Sequence, residues 1–451
     1  MITSKTFVFK ALLAGVAGLL QAGSVLAAIP IAHWTQASGA QVYLVQSQAI
    51  PMLDVQIDFD AGGRRDPPNQ IGLASVTAGM ADKGLLARAD APALDENALG
   101  EAWADLGAAF GAHASDDRMS FSLRTLTYPD LLSKSVQLAA RQLGEPAFPQ
   151  PVWLRERERI NAALREANTR PATLADRAFA AAVYGQHPYG FEMTQESLAR
   201  VGVADMQALY GALILPCRAK VTLVGAVNRA QADALVTQLL SHLPAQTPAA
   251  ACPTLPPVAE VAPLTQASEQ RIAFDSAQTH ILIGQPGFKR DDPDYFALTV
   301  GNYILGGGGF VSRLTDEVRE KRGLSYSVGS GFAPGLHAGA FTVSLPTRPE
   351  QAEKALQVAR EVLAGFVADG PQETELKAAK DNLIGGLALR LDSNRKLLDN
   401  VASIAWNNLP LDYLDTWTQQ VDKVTLQEIR SAFARKLQPQ KMATVLLGRG
   451  L

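Results

Sequence analysis

Two stretches of this chain repeat each other at one fixed offset, and that repeat limits the fold more than any other feature. Residues 215–225 (LPCRAKVTLVG) and 438–448 (QPQKMATVLLG) share a proline, a polar spacer, a β-branched run and a closing glycine. Pro216 and Pro439 lie 223 positions apart, as do Gly225 and Gly448, and the same offset pairs Val201 with Val424 and Tyr210 with Phe433. An offset kept over more than 20 residues implies a duplicated unit of about 200 residues. Between the copies, residues 244–264 (PAQTPAAACPTLPPVAEVAPL) hold six prolines and many alanines, which exclude a sound helix or a central strand. The chain therefore divides into an N-terminal half (28–243), a linker (244–264) and a C-terminal half (265–451).

Each half opens with strands and continues with helices. Residues 41–46 and 53–59 alternate apolar and polar as half-buried strands do, and 119–126 reads as a further strand. Helical spacing covers 71–86, 95–106, 130–143 and 150–168. The second half repeats the order: a strand at 279–285, helices at 293–305 and 312–322, strands at 325–332 and 338–345, and helices at 349–368 and 371–390. Strands and helices segregated in this way predict an α+β fold of two homologous halves, each an antiparallel-rich sheet packed with helices.

Composition narrows the function classes. Of 451 residues, 47% are hydrophobic, which excludes a disordered chain, and a net charge of −3 removes the electrostatic case for nucleic acid. Lys5 and Lys10, the apolar run 11–20 and the small residues before Ala28 read as a signal peptide, residues 1–27. No later segment is apolar enough to span a bilayer, so the expected location is the periplasm, as a soluble exported protein with no membrane span after cleavage. In an oxidising compartment Cys217 and Cys252 either pair or remain two thiols; spacing does not decide between them.

Residues 61–84 (AGGRRDPPNQIGLASVTAGMADKG) resemble the segment of the pitrilysin/insulinase zinc peptidases that carries the inverted motif H-x-x-E-H. Gly72, Leu73, Ala74, Met80, Lys83 and Gly84 keep the flanks, but Ser75, Ala78 and Gly79 occupy the His, Glu and His positions. A catalytic zinc needs two imidazoles on one helical face, a third protein ligand and a general base. The family's distal ligand falls at Glu156, near Glu158, in RERERINAALRE, and one carboxylate without histidines reads better as part of a solvated helix face. His33, His113, His187, His242, His280 and His337 are scattered, with no pair at i, i+4. His187, in HPYG, is expected to make a structural hydrogen bond. The expectation is no cofactor and no metal in this chain, and no catalytic residue.

Residues 305–328 (LGGGGFVSRLTDEVREKRGLSYSV) resemble the family's C-terminal substrate segment: a glycine-rich turn, Ser-Arg-Leu, a helix, then Arg319 and Tyr326 seven positions apart. Ser312 can cap that helix, Gly323 can end it, and the chain can return as a strand bearing Tyr326. The glycines match neither phosphate-binding pattern, so Gly307 and Gly308 are expected beside a channel that substrate enters. The resemblance implies that Arg319 and Tyr326 bind the substrate backbone. A chain that has lost the zinc motif and kept this pair is similar to the non-catalytic subunit of two-chain members. The implied partner is a homologous zinc-bearing peptidase subunit, the implied substrates are peptides or unfolded segments, and the implied function is substrate binding in a heterodimeric zinc metallopeptidase. An inactive homologue that binds peptides or scaffolds a complex is the alternative.

Overall fold

The structure is a computed structural model that describes residues 29–244 and 252–451. The signal peptide expected over residues 1–27 lies outside the described residues, as does part of the linker. The N-terminal half contains strands β1 (Ala32–Thr35), β2 (Gln41–Gln46), β3 (Met52–Phe59), β4 (Gly84–Leu85), β5 (Leu94–Asp95), β6 (Ala109–Ala114), β7 (Met119–Leu126) and β8 (Lys220–Gly225). Its helices are α1 (Leu73–Met80), α2 (Glu96–Asp105), α3 (Pro129–Gly144), α4 (Gln150–Ala167), α5 (Pro171–Tyr184), α6 (Gln195–Ala199), α7 (Val203–Leu213) and α8 (Arg229–Leu239). The C-terminal half contains β9 (Ser268–Ala273), β10 (Thr279–Pro286), β11 (Gly329–Phe332), β12 (Ala340–Thr347) and β13 (Ala443–Gly448). Its helices are α9 (Tyr295–Asn302), α10 (Ala352–Asp369), α11 (Glu373–Gly385), α12 (Asn394–Trp406), α13 (Tyr413–Lys423) and α14 (Leu426–Lys436). Residues 252–264 carry no regular structure.

The duplication is visible in the strand order. The first sheet runs β1-β2-β8-β3-β7-β6 and the second β11-β12-β10-β13-β9. With β1 set aside and the second sheet read backwards, the two orders coincide. In both, the closing strand pairs parallel to the first strand on one side (β2 with β8, β9 with β13) and antiparallel to the next on the other. The repeated segments that end in Gly225 and Gly448 are these closing strands, each inserted between two earlier ones. The fold is α+β, with helices packed on two mainly antiparallel sheets.

Local signals account for most boundaries. Proline occupies the first turn of α3, α4 and α5, where its missing N–H costs nothing. Asp95 caps α2 by accepting from the amides of Asn97 and Ala98, and Thr425 with Glu428 forms a capping box on α14. The helix expected over 71–86 is shorter, Leu73–Met80, because the chain turns at Lys83 and Gly84 takes φ 123°. The helix expected over 371–390 ends at Gly385, and the strand expected over 325–332 begins only at Gly329.

The largest departure from the sequence reading concerns β3. Its alternation predicts one wet face, yet Leu53 to Phe59 are all buried. Leu53, Val55, Ile57 and Phe59 join the core of their own half. The opposite face lies beneath α12, which the C-terminal half packs against β3 and β8. There Asp54 pairs with Arg124 at 2.7 Å, while Asp58 pairs with Arg118 at 3.0 Å and accepts from Ser120 at 2.5 Å. Carboxylates so deeply placed are tolerated because each is both paired and hydrogen-bonded.

The exchange is reciprocal. Helix α5 of the N-terminal half packs on β10 and β13 of the second sheet, where Ala175, Phe179 and Val183 meet Leu282, Val445 and Leu447. Gly284 makes room, since a Cβ there would lie 2.7 Å from the Phe179 ring. Each half thus covers the other's sheet with one helix, and neither can complete its burial alone. Replacing Phe179 by Ala is expected to lower the unfolding free energy by about 3–5 kcal/mol. Leu154→Ala, at a side chain that is 44% exposed, should change it by about 0.5 kcal/mol or less. Urea denaturation followed by circular dichroism measures both.

Candidate functional site

Helix α1 carries the three positions where the resembled family holds its metal motif. Ser75 and Gly79 face solvent and Ala78 is buried. Ser75 lines an open cleft of about 340 Å³, together with Gly72, Asp66, Asp116 and the ion-paired Arg177 and Glu192. The Asp66 carboxylate anchors the start of α1, accepting from the amides of Gly72 and Ala74 at 2.8 Å each, and burial pushes its pKa up to about 6. Glu156 is held by Arg159 at 2.8 Å and Arg155 at 3.1 Å. Burial raises its pKa, but hydrogen bonds from these arginines outweigh burial and leave it below the ordinary carboxylate value. A hydroxyl, a methyl and a glycine do not fit zinc, and among the described residues no cluster of three His, Cys, Asp or Glu side chains is arranged to hold a metal. Beside α1 runs β6, an edge strand bonded to β7 on one side only.

In the C-terminal half the structure brings Arg319 and Tyr326 together. The Arg319 guanidinium carbon lies 4.6 Å from the Tyr326 ring centre and 4.6 Å from that of Phe310. Tyr326 is 81% exposed and Phe310 71%. Arg319 does not pair with Asp316, which holds Lys321 at 2.7 Å; its own neighbour is Glu320 at 3.3 Å. Tyr326 sits in a loop before β11 rather than on a strand. That loop is pinned by the Thr347 hydroxyl, which donates to the Leu324 carbonyl at 2.5 Å.

Two segments of this region wind as wide π turns, Tyr303–Gly307 and Thr315–Glu320, a rare geometry that recurs at functional sites. Gly308 N–H donates to Tyr303 and Lys321 N–H to Asp316, each five residues back. Gly323, at φ 59°, ends the second segment as expected. Ser312 lies just ahead of it, but its hydroxyl bonds Gly309 and the Thr315 hydroxyl instead of a helix amide. Gly307 and Gly308 are closed against their own chain: a Cβ on Gly307 would lie 2.8 Å from the Asn302 amide nitrogen, and one on Gly308 2.6 Å from the Tyr303 carbonyl oxygen. Their smallness therefore serves the turn. Arg313 was not legible as a site residue, yet it ties the segment to α11 through two bonds to Glu375, at 2.7 and 2.6 Å.

The structure also joins residues that the sequence leaves far apart. His187 and His337 meet at the junction of the two halves, ring centres 5.1 Å apart, both largely buried. His187 Nδ1 accepts from the Tyr189 amide at 3.1 Å, the structural hydrogen bond expected of it. Around them, Asp117 accepts from Arg64, from the Tyr189 hydroxyl and from the Leu336 amide, and Glu260 of the linker lies 3.3 Å from His337. Cys217 and Cys252 form a disulfide, Cα atoms 5.8 Å apart, which fastens the linker to the N-terminal half.

Comparison with known proteins places this architecture. A crystal structure described as the peptidase M16 inactive domain from Pseudomonas fluorescens superposes with a TM-score of 0.86 at 32% identity, covering 93% of this chain and 98% of that one. The chain belongs to the peptidase M16 family. The family model described as "Peptidase M16 inactive domain" matches residues 200–383, which bears out the resemblance to the pitrilysin/insulinase peptidases. An uncharacterized zinc protease of Mycobacterium leprae is 29% identical over 273 residues, which span 60% of each protein. A Helicobacter pylori protein named a non-peptidase homologue is 25% identical over 396 residues, covering 85% of this chain and 86% of that one. Within this M16 chain, the α1 positions hold Ser75, Ala78 and Gly79, and Arg319 stands beside Tyr326.

His187 contributes stability that is lost in acid. Burial, and then the neighbouring His337 imidazole, lower the His187 pKa below the usual 6.5. The unfolded chain therefore binds this proton more readily than the folded one, so the stability that neutral His187 contributes is lost as pH drops below 6.5. The melting temperature of the wild type should fall further between pH 7.5 and 5.5 than that of His187→Asn, whose amide oxygen can still accept from Tyr189.

Proposed function

We propose that this chain is the substrate-binding, non-catalytic subunit of an exported, heterodimeric zinc metallopeptidase that acts on peptides or unfolded segments. The observation that carries the reading is a contrast within one molecule. The α1 positions hold Ser75, Ala78 and Gly79, which do not fit zinc, whereas Arg319 lies 4.6 Å from the Tyr326 ring, with the tyrosine exposed and the arginine partly so. A protein kept only for its shape has no need of a half-buried arginine held beside an exposed tyrosine.

On this reading zinc belongs to a homologous partner subunit, and this chain supplies binding. Arg319 donates to the carbonyl of an extended peptide and the Tyr326 hydroxyl donates beside it, so negative charge that builds on that oxygen is stabilised by groups already in place. The free edge of β6 offers main-chain N–H and C=O groups to a peptide lying as an added strand. Export accords with the Cys217–Cys252 bond, since disulfides persist in oxidising compartments. Among the described residues no helix is long and apolar enough to cross a membrane.

Co-expression with a zinc-bearing homologue from the same genome tests the proposal. The pair should hydrolyse unfolded peptides, and this chain alone should not. Arg319→Ala in the pair should lower kcat/KM roughly a hundredfold without weakening assembly. Hydrolysis by the isolated chain with one bound zinc would overturn the reading. A partner whose turnover is the same with and without this chain would make it a peptide-binding or scaffold protein instead.

A further inference from the structure

We propose that Phe310 is a positioning residue: together with Tyr326 it clamps the Arg319 guanidinium and presents its outer N–H edge to a peptide carbonyl. This rests on the reading that Arg319 takes the substrate main chain, and it assigns a role to a residue that the Arg/Tyr motif does not include.

Three contacts hold the guanidinium. Phe310 and Tyr326 flank it, each with its ring centre 4.6 Å from the guanidinium carbon, and Glu320 lies 3.3 Å from Nε. Among the described residues no hydrogen bond engages the two Nη atoms, so those donors remain available to a ligand. An arginine on a long flexible stem gains most from such a holder, because the orientation needed for binding is set before the ligand arrives. Phe310 has no other evident employment. Its ring is 71% exposed on a tight turn, where an aromatic without a burial partner gains nothing from the hydrophobic effect.

The glycine-rich turn explains how the ring gets there. A Cβ on Gly306 would lie 2.5 Å from the Ser330 amide nitrogen and one on Gly308 2.6 Å from the Tyr303 carbonyl oxygen, while Gly309 takes φ 61°. Only glycines let the chain close so tightly before Phe310. Arg313, bound to Glu375, then fixes the turn's far end. The ring is thus delivered by backbone geometry rather than by burial.

The test is binding of fluorescein-labelled β-casein, an unfolded protein, to the purified chain, read by anisotropy. Phe310→Ala should weaken binding about two- to fivefold, the range of a cation–π contact at an exposed site, with an unchanged melting temperature. Phe310→Trp should restore it and Phe310→Leu should not, because leucine keeps the bulk and loses the π face. In an Arg319→Ala background, Phe310→Ala should have no further effect. Rescue by leucine, an undiminished loss in that background, or no loss from Phe310→Ala while Arg319→Ala weakens binding would overturn the clamp alone. No binding by the wild type, or binding indifferent to Arg319→Ala, would overturn the reading of the site itself and the clamp with it.

Discussion

The exchange of one helix between the halves is the constraint on which the rest of the structure depends. A sheet must cover both faces or leave one wet, and here each sheet receives its second cover from the other half. Helix α5 seals the second sheet with an apolar contact through Phe179 and Val183. Helix α12 seals the first with a mixed one, apolar where Leu398 and Val401 meet Tyr43 and Val224, and polar where it lies over Asp54 and Asp58. Lys220 completes the joint by donating to the Ala405 carbonyl and to Asn408, 2.7 Å each, at the C-terminal end of α12, where a cation is favoured by the exposed carbonyls. Removing either helix would expose a buried face of a sheet that it does not belong to in sequence.

That joint determines what the site can be. Because the halves share their cores, α1 with its edge strand β6 and the Arg319 loop are parts of one body rather than ornaments on two separate ones. The loop is braced on every side: Arg313 to α11, the Thr347 hydroxyl to Leu324, and the glycine turn against Tyr303 and Ser330. Of the side chains left over, Phe310 and Tyr326 are exposed and Arg319 is half-buried beside them. On the other half, α1 carries Ser75, Ala78 and Gly79, so the two halves differ in chemistry while they agree in strand order.

Much of this was legible in residues. The repeat ending in Gly225 and Gly448 announced two copies of one sheet, and the missing ligands on α1 and the Arg319–Tyr326 spacing were readable as motifs. What escaped the sequence reading has a common cause. The polar face of β3 looked solvent-facing because Asp54, Gln56 and Asp58 alternate with apolar residues, yet α12, more than 330 positions later, lies on it. His187 and His337 looked unrelated because 150 positions separate them. Phe310 looked like part of a turn, and the strand was expected to reach Tyr326, because local spacing cannot show a π turn or a loop held by side-chain bonds.

By itself, then, the sequence determined which segments become strands and helices, that they do so twice, and which side chains α1 carries, since periodicity, capping residues and side-chain identity are local properties. Only the tertiary structure decided which half covers which sheet, which carboxylates lie buried beside which arginines, and that Phe310 stands against Arg319. Those are contacts between residues distant along the chain, and their energy comes from surfaces that meet only once the whole chain has closed.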